Sequence, residues 1–127
     1  MEDEDGRPRC GSSDSVTLGI RVGTRHDDVS LDEEGLVPPD DGGMSVCPDD
    51  PARLTPGLRP TQLPGGRGHW PVWRIHVEQL PDELVFAPSK PKKKLVMHGL
   101  IRPRTSMSPE TLQALICSTR DLWERVT

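Results

Sequence analysis

Residues 35–47 read GLVPPDDGGMSVC, a turn-forming run that leads directly into a short apolar segment. The prolines, the aspartates and the adjacent Gly42 and Gly43 favour a tight turn, since each of these residue types suits turn backbone. The Met-Ser-Val-Cys segment that follows is typical of a strand, in which Ser45 presents its hydroxyl on one face. The stretch therefore predicts a glycine turn over residues 40–43 that delivers Ser45 into a strand, where the glycines leave room for a ligand.

The rest of the chain predicts a small α+β domain of several short strands and one packed C-terminal helix. Hydrophobic residues make up 32% of the 127 residues, enough for one modest core, while 14 Pro and 12 Gly imply many loops. Alternating or apolar runs predict strands at residues 16–22, 70–77, 84–87 and 95–101, and residues 49–68 predict a loop.

The C-terminal helix has the clearest local signals. Ser108 is a favoured N-cap, Pro109 a favoured first helical residue, and Glu110 suits the positive end of the helix dipole. Apolar residues at helical spacing predict a stripe that packs on the sheet, formed by Leu112, Leu115, Ile116, Leu122, Trp123 and Val126.

Charge is distributed unevenly along the chain. Residues 1–50 hold 14 acidic and 4 basic residues, a net −10, whereas residues 51–127 hold 6 and 12, a net +6. The two halves are therefore expected to attract each other. The basic half is either a solvated face or a groove for an anionic ligand such as a dinucleotide or RNA. Residues 1–15 are charged and small, which predicts a disordered acidic tail, so the domain is predicted to cover residues 16–127.

The cysteine pattern and the first residues of the chain indicate the cellular compartment in which the protein is expected. Cys10, Cys47 and Cys117 are odd in number and lack metal-ligand spacing, so we expect free thiols in a reducing compartment and no metal. The acidic start is opposite to a signal peptide, and no apolar run reaches membrane-spanning length. The sequence thus predicts a cytoplasmic protein, or one delivered into a target cell without a cleaved signal and without a membrane partner.

Three residues in predicted strands are candidates for a site. Arg21 can clamp a phosphate or carboxylate, or lie on the surface. Ser45 can orient a ligand, or bond to backbone. His98, with Gly99 clearing space beside it, can donate to a ribose hydroxyl or act as acid or base, or simply pack. A lysine run over residues 90–94 is either a solvated loop or a phosphate patch.

Three motifs follow one another in a fixed order: GGMSV at 42–46, MHGLIRP at 97–103 with Met107, and the closing helix with Trp123. Their order and spacing resemble the small type VI secretion toxins with an ADP-ribosyltransferase-like fold, the Tse-type domain. The resemblance runs from about residue 35 to residue 126. It implies small mixed sheets that enclose an NAD-binding cleft, toxicity inside a target cell, and an immunity protein that covers the cleft.

The resemblance also implies roles for particular residues. His98 and Ser45 match the catalytic positions, and Arg21, Gly43 and Val46 join them in holding NAD as substrate, for ADP-ribose transfer or NAD hydrolysis. No glutamate occupies the place where such enzymes carry a carboxylate that stabilises the cationic transition state. A non-catalytic binding or interaction module on the same fold therefore stays open. NAD-dependent removal of an RNA 2′-phosphate also stays open, on the basic second half.

Overall fold

The computed structural model describes residues 1–12, 16–24, 27–48, 50–88 and 99–127, and it confirms the α+β class. The strands are β1 (Asp3–Glu4), β2 (Arg7–Pro8), β3 (Met44–Val46), β4 (Trp73–Arg74), β5 (Leu84–Pro88), β6 (Gly99–Pro103) and β7 (Glu124–Arg125). The helix α1 covers Pro109–Ser118, and 3-10 helices cover Pro51–Arg53, Val77–Gln79 and Arg120–Leu122.

An antiparallel sheet of order β3-β6-β5 positions the candidate site. Met44 and Phe86 both lie opposite Ile101 on the central strand β6. Met44, Leu84 and Ile101 are buried, so this face of the sheet contributes to the core. Successive strand residues alternate between faces, so Ser45, opposite Leu100, lies on the other face of the sheet. The predicted strands at 84–87 and at the Met-Ser-Val segment are confirmed.

The helix begins where the sequence predicts and ends earlier. The Ser108 hydroxyl accepts a hydrogen bond from the Thr111 N–H, and Leu112 and Ile116 are fully buried. Helical structure stops at Ser118, whereas the predicted apolar stripe continued to Val126. The Thr119 hydroxyl donates to the carbonyl of Ile116 and accepts from the Trp123 indole N–H. This pair of bonds places Trp123 in the core beyond the helix, and Val126 is 44% exposed.

Residues 1–12, which the sequence predicts to be part of a disordered tail, pack on the C-terminal part of the chain. Strands β1 and β2 form a hairpin, and the Pro8 side chain is fully buried. The Met1 amino group donates to the Pro71 carbonyl, and the Trp73 indole N–H donates to the Met1 carbonyl. Arg120 donates to the carbonyls of Glu4 and Pro8. Long-range backbone bonds therefore compensate for the scarcity of apolar residues in this segment.

The cysteines also differ from expectation. Cys10 and Cys117 form a disulfide across 107 residues, with Cα atoms 5.7 Å apart, while Cys47 stays outside this disulfide and its thiol donates to the Asp50 carbonyl. Widely spaced cysteines meet because the N-terminal segment lies along the end of α1. The expected attraction between the acidic and basic halves is found at the same place, in the ion pairs Asp3–Arg125 and Glu4–Arg120.

Residues 16–22 do not form the predicted strand, although apolar residues of this segment enter the core. Leu18 and Ile20 are almost completely buried, yet residue 18 makes only an isolated bridge to Cys10. The Leu18 N–H donates to the Arg9 carbonyl, and the Ile20 N–H donates to the side-chain oxygen of Gln113. A side chain of α1 thus takes the place that a neighbouring strand would have.

Two other predicted strands also change extent. The strand predicted at 70–77 is reduced to β4, because Val77 already belongs to a 3-10 helix. The strand predicted at 95–101 is present from Gly99 and continues to Pro103, while its earlier part lies outside the described residues. The loop at 49–68 is organised internally: the Arg59 guanidinium donates to the carbonyls of Leu54 and Pro64.

Candidate anion-binding site

The glycine turn does enter β3, but the glycines serve the backbone. Gly42 and Gly43 have φ values of 83° and 151°, a region that favours glycine. The Gly43 N–H donates to the Asp28 carbonyl at 3.0 Å. A Cβ atom on Gly42 would overlap the carbonyl oxygen of Asp28, and one on Gly43 would overlap that of Ile101. The space expected for a ligand is therefore filled by neighbouring main chain.

Ser45 and Val46 lie on opposite faces of β3. Ser45 is exposed on the face that points away from the core, opposite Leu100. Val46 lies opposite Gly99 and packs against the hydrophobic core. Ser45 can thus contact a ligand on the outer face, and Val46 cannot line the same surface.

The Arg21 guanidinium is paired with Asp28, whose main chain contacts the glycine turn. Its Nη2 atom lies 2.9 Å from Asp28 Oδ1, and its Nε atom lies 3.2 Å from Asp28 Oδ2, a two-point ion pair. The Arg21 N–H donates to the same carboxylate at 2.7 Å. The Asp28 carbonyl in turn accepts from Gly43. Arg21 therefore supports the turn through Asp28, an arrangement that differs from a clamp open to a ligand.

His98 and the lysine run over residues 90–94 lie outside the described residues. Gly99, expected to clear space beside the histidine, is described and has a different neighbour. A Cβ atom there would overlap the ring of Phe86, which lies diagonally across from Gly99, because Pro88 is the residue opposite Gly99. The absence of a side chain at Gly99 accommodates this aromatic ring.

Arg102 lies on the outer face of the sheet, as Ser45 does, and the sequence analysis did not identify it. It lies opposite Val85 on β6, and its Cγ atom is 3.0 Å from the position that a Cβ on Gly43 would occupy. The Arg102 side chain thus crosses the bare backbone of Gly43. Its Nε atom is buried and has no hydrogen-bond partner among the described residues. Side chains alternate between the two faces of a strand. The strand that follows Gly99 could therefore have placed Arg102 on the face that carries Leu100 and Ser45.

An unpartnered buried donor is uncommon, because leaving one unsatisfied costs about 1–3 kcal/mol. A phosphate or carboxylate can accept from Nε and a terminal guanidinium nitrogen together, in a two-point geometry. The Ser45 hydroxyl lies on the same face of the sheet as Arg102. Ser45 pairs with Leu100 on the neighbouring strand β6 and follows Gly43 by two positions in the chain. The outer face therefore offers a charged donor and a hydroxyl to an anionic ligand.

Three described carboxylates, those of Asp28, Asp82 and Glu83, are poorly placed for chemistry beside Ser45. Asp28 contacts the turn, but its oxygens accept from Arg21. Asp82 and Glu83 precede β5, which is separated from β3 by β6, so they lie about two strand spacings, roughly 10 Å, from the β3 side. Within the described ranges no cluster of His, Cys, Asp and Glu could hold a metal ion. No helix in that part of the chain is long and apolar enough to cross a membrane.

Comparisons with protein-family models, with curated proteins and with solved structures find no match for this chain.

Proposed function

We propose that this chain is a binding module for a phosphate-containing ligand, which lies on the outer face of the β3-β6-β5 sheet. The observation that supports the proposal best is the buried, unpartnered Nε atom of Arg102, which lies across Gly43. An anion would accept from the terminal nitrogens of this guanidinium, and a small rotation of the side chain would let the unpaired Nε donate to it as well. The Ser45 hydroxyl would then orient the ligand from the neighbouring strand.

NAD is the first ligand to test, because the resemblance to the ADP-ribosyltransferase-like toxins implies it and its pyrophosphate has the required charge. Binding is favoured over cleavage of the nicotinamide–ribose bond. A group that stabilises the developing cation must be positioned against the reacting atoms, whereas Asp28 is engaged by Arg21 and Asp82 and Glu83 lie two strands away.

Calorimetric titration with NAD and with ADP-ribose tests the proposal on the folded protein. Arg102→Gln should weaken binding about 10-fold to 100-fold, in line with hydrogen bonds to charged groups of about 1.5–3 kcal/mol. Ser45→Ala should weaken it several-fold, and His98→Ala tests the histidine in the same assay. Arg67→Gln is the control, because Arg67 is exposed and lies in a separate loop.

The outcomes separate the candidate functions. No heat from a well-folded wild-type protein, or equal affinity in wild type and Arg102→Gln, would remove the proposed site. Nicotinamide release on incubation with NAD would show turnover and favour the toxin enzyme over the binding module. Binding without release is the result we expect.

A further inference from the structure

A cleft lies beside β5, at the edge of the sheet that is opposite β3. It has a volume of about 260 Å³ and lies between the 3-10 helix Val77–Gln79 and the outer strand β5. Its apolar lining includes Val77, Leu80, Leu84 and Phe86, and its polar lining includes Asp82 and Arg104. Val77 is 55% exposed, so its side chain is accessible to a ligand.

Arg104 is held in place on this cleft by the main chain. Its N–H donates to the Glu83 carbonyl at 2.8 Å, and its Nε atom donates to the Asp82 carbonyl at 2.6 Å. The first bond anchors the backbone of residue 104, and the second orients its guanidinium. Across the ranges that the structure describes, Arg104 makes no ion pair, and its terminal nitrogens have no protein acceptor. A positioned guanidinium with free donors is suited to a carboxylate.

We propose that this cleft binds a small monocarboxylate with an apolar body. The carboxylate accepts from the terminal nitrogens of Arg104, and the apolar body contacts Val77, Leu80 and Phe86. The volume lies just below the roughly 300–1,000 Å³ usual for ligand pockets, which restricts the ligand to a small one. The nearby Asp82 carboxylate repels a second negative charge, so dicarboxylates and phosphates bind less well. The inference does not depend on the proposed function, since it uses a different arginine and a different ligand chemistry.

Phenylacetate is the probe, titrated into the ¹⁵N-labelled protein and followed by NMR. We expect saturable shifts centred on residues 77–86 and 104, and affinity at least 10-fold weaker in Arg104→Gln. Asp82→Asn should bind more tightly, because the repelling charge is gone. Arg104→Lys should be intermediate, since it keeps the charge but loses the planar fork. Arg67→Gln should bind as wild type does.

The neutral analogue 2-phenylethanol keeps the experiment decisive even if a variant is destabilised. On the wild-type protein it should bind at least 10-fold more weakly than phenylacetate. Equal affinity for the two probes, or shifts that saturate elsewhere on the protein, would overturn the proposal. NAD binding that depends on Arg102 while phenylacetate fails would exclude this cleft and leave the other site standing.

Discussion

The Sγ atoms of Cys10 and Cys117 form a disulfide that ties the first residues of the chain to the end of α1. The same segment is held by the bonds from Arg120 to Glu4 and Pro8. The Gln113 amide also donates to the Gly11 carbonyl at 3.1 Å. The disulfide thus closes a loop of 107 residues and is surrounded by polar contacts that depend on the same docking.

Removing this disulfide should lower the free energy of unfolding substantially. Closure of so long a loop restricts the unfolded chain, and loss of such a bridge costs about 2–5 kcal/mol in small domains. Urea unfolding of Cys10→Ser, of Cys117→Ser and of the wild type with a dithiol reductant should give similar losses. Cys47→Ser should be close to the oxidised wild type, because Cys47 is not part of the disulfide. Equal stability of reduced and oxidised protein would contradict the structural role of the bridge.

Gly43→Ala should destabilise the sheet through the contact between β3 and β6. An alanine would carry the strained backbone at φ 151° and overlap the Ile101 carbonyl, so we expect a loss of about 2 kcal/mol or more. Gly57→Ala is a matched control, because nothing lies within 4 Å of its added Cβ and its φ is not positive. Thermal unfolding measures both. If Gly43→Ala were as stable as Gly57→Ala, the close approach of Gly43 to Ile101 would be wrong.

The hydroxyl of Thr119 should contribute more to the free energy of unfolding than its methyl group does. It accepts from the buried Trp123 indole N–H at 2.9 Å and donates to the Ile116 carbonyl at 2.6 Å. Thr119→Val keeps the shape and leaves that indole donor unpaired, at a cost of about 1–3 kcal/mol. Thr119→Ser keeps the hydroxyl and should lose less. Chemical unfolding followed by tryptophan fluorescence compares them, and the reverse order of stability would refute the bond.

The parts of the fold that could be predicted from the sequence are the parts determined locally. Ser108 and Pro109 specify the helix start through bonds within one turn, and the glycine turn specifies the entry to β3. The docking of residues 1–12 was missed because it depends on contacts with residues more than one hundred positions away, such as Arg120. Composition alone indicated disorder there, since the segment contains few apolar residues.

In the candidate site too, the residue marked by a local pattern could be predicted, and the residues that depend on tertiary contacts could not. Ser45 was found because polarity alternates along its own strand. The importance of Arg102 depends on register, because its side chain crosses Gly43 only when Met44 pairs with Ile101. The engagement of Arg21 by Asp28 depends on a loop whose path no local pattern specifies. A residue's partner across a sheet or loop is a property of the tertiary structure, so it became visible only there.

The carboxylate of Asp3 should make the stability of the protein depend on acid pH. The Gly6 N–H and then the Arg125 guanidinium, 2.7 Å away, lower the pKa of Asp3 in the folded protein. A lowered folded-state pKa contributes stability above the unfolded value of about 3.9 and loses it as the pH falls through the folded value. Asp3→Asn should therefore be less stable than wild type at pH 7, with a difference that narrows as the pH approaches 2. Asp40→Asn, which removes an exposed carboxylate, is the control. Urea midpoints across this range test the sign, and a difference that stays constant with pH would show that the Asp3 charge is not the cause.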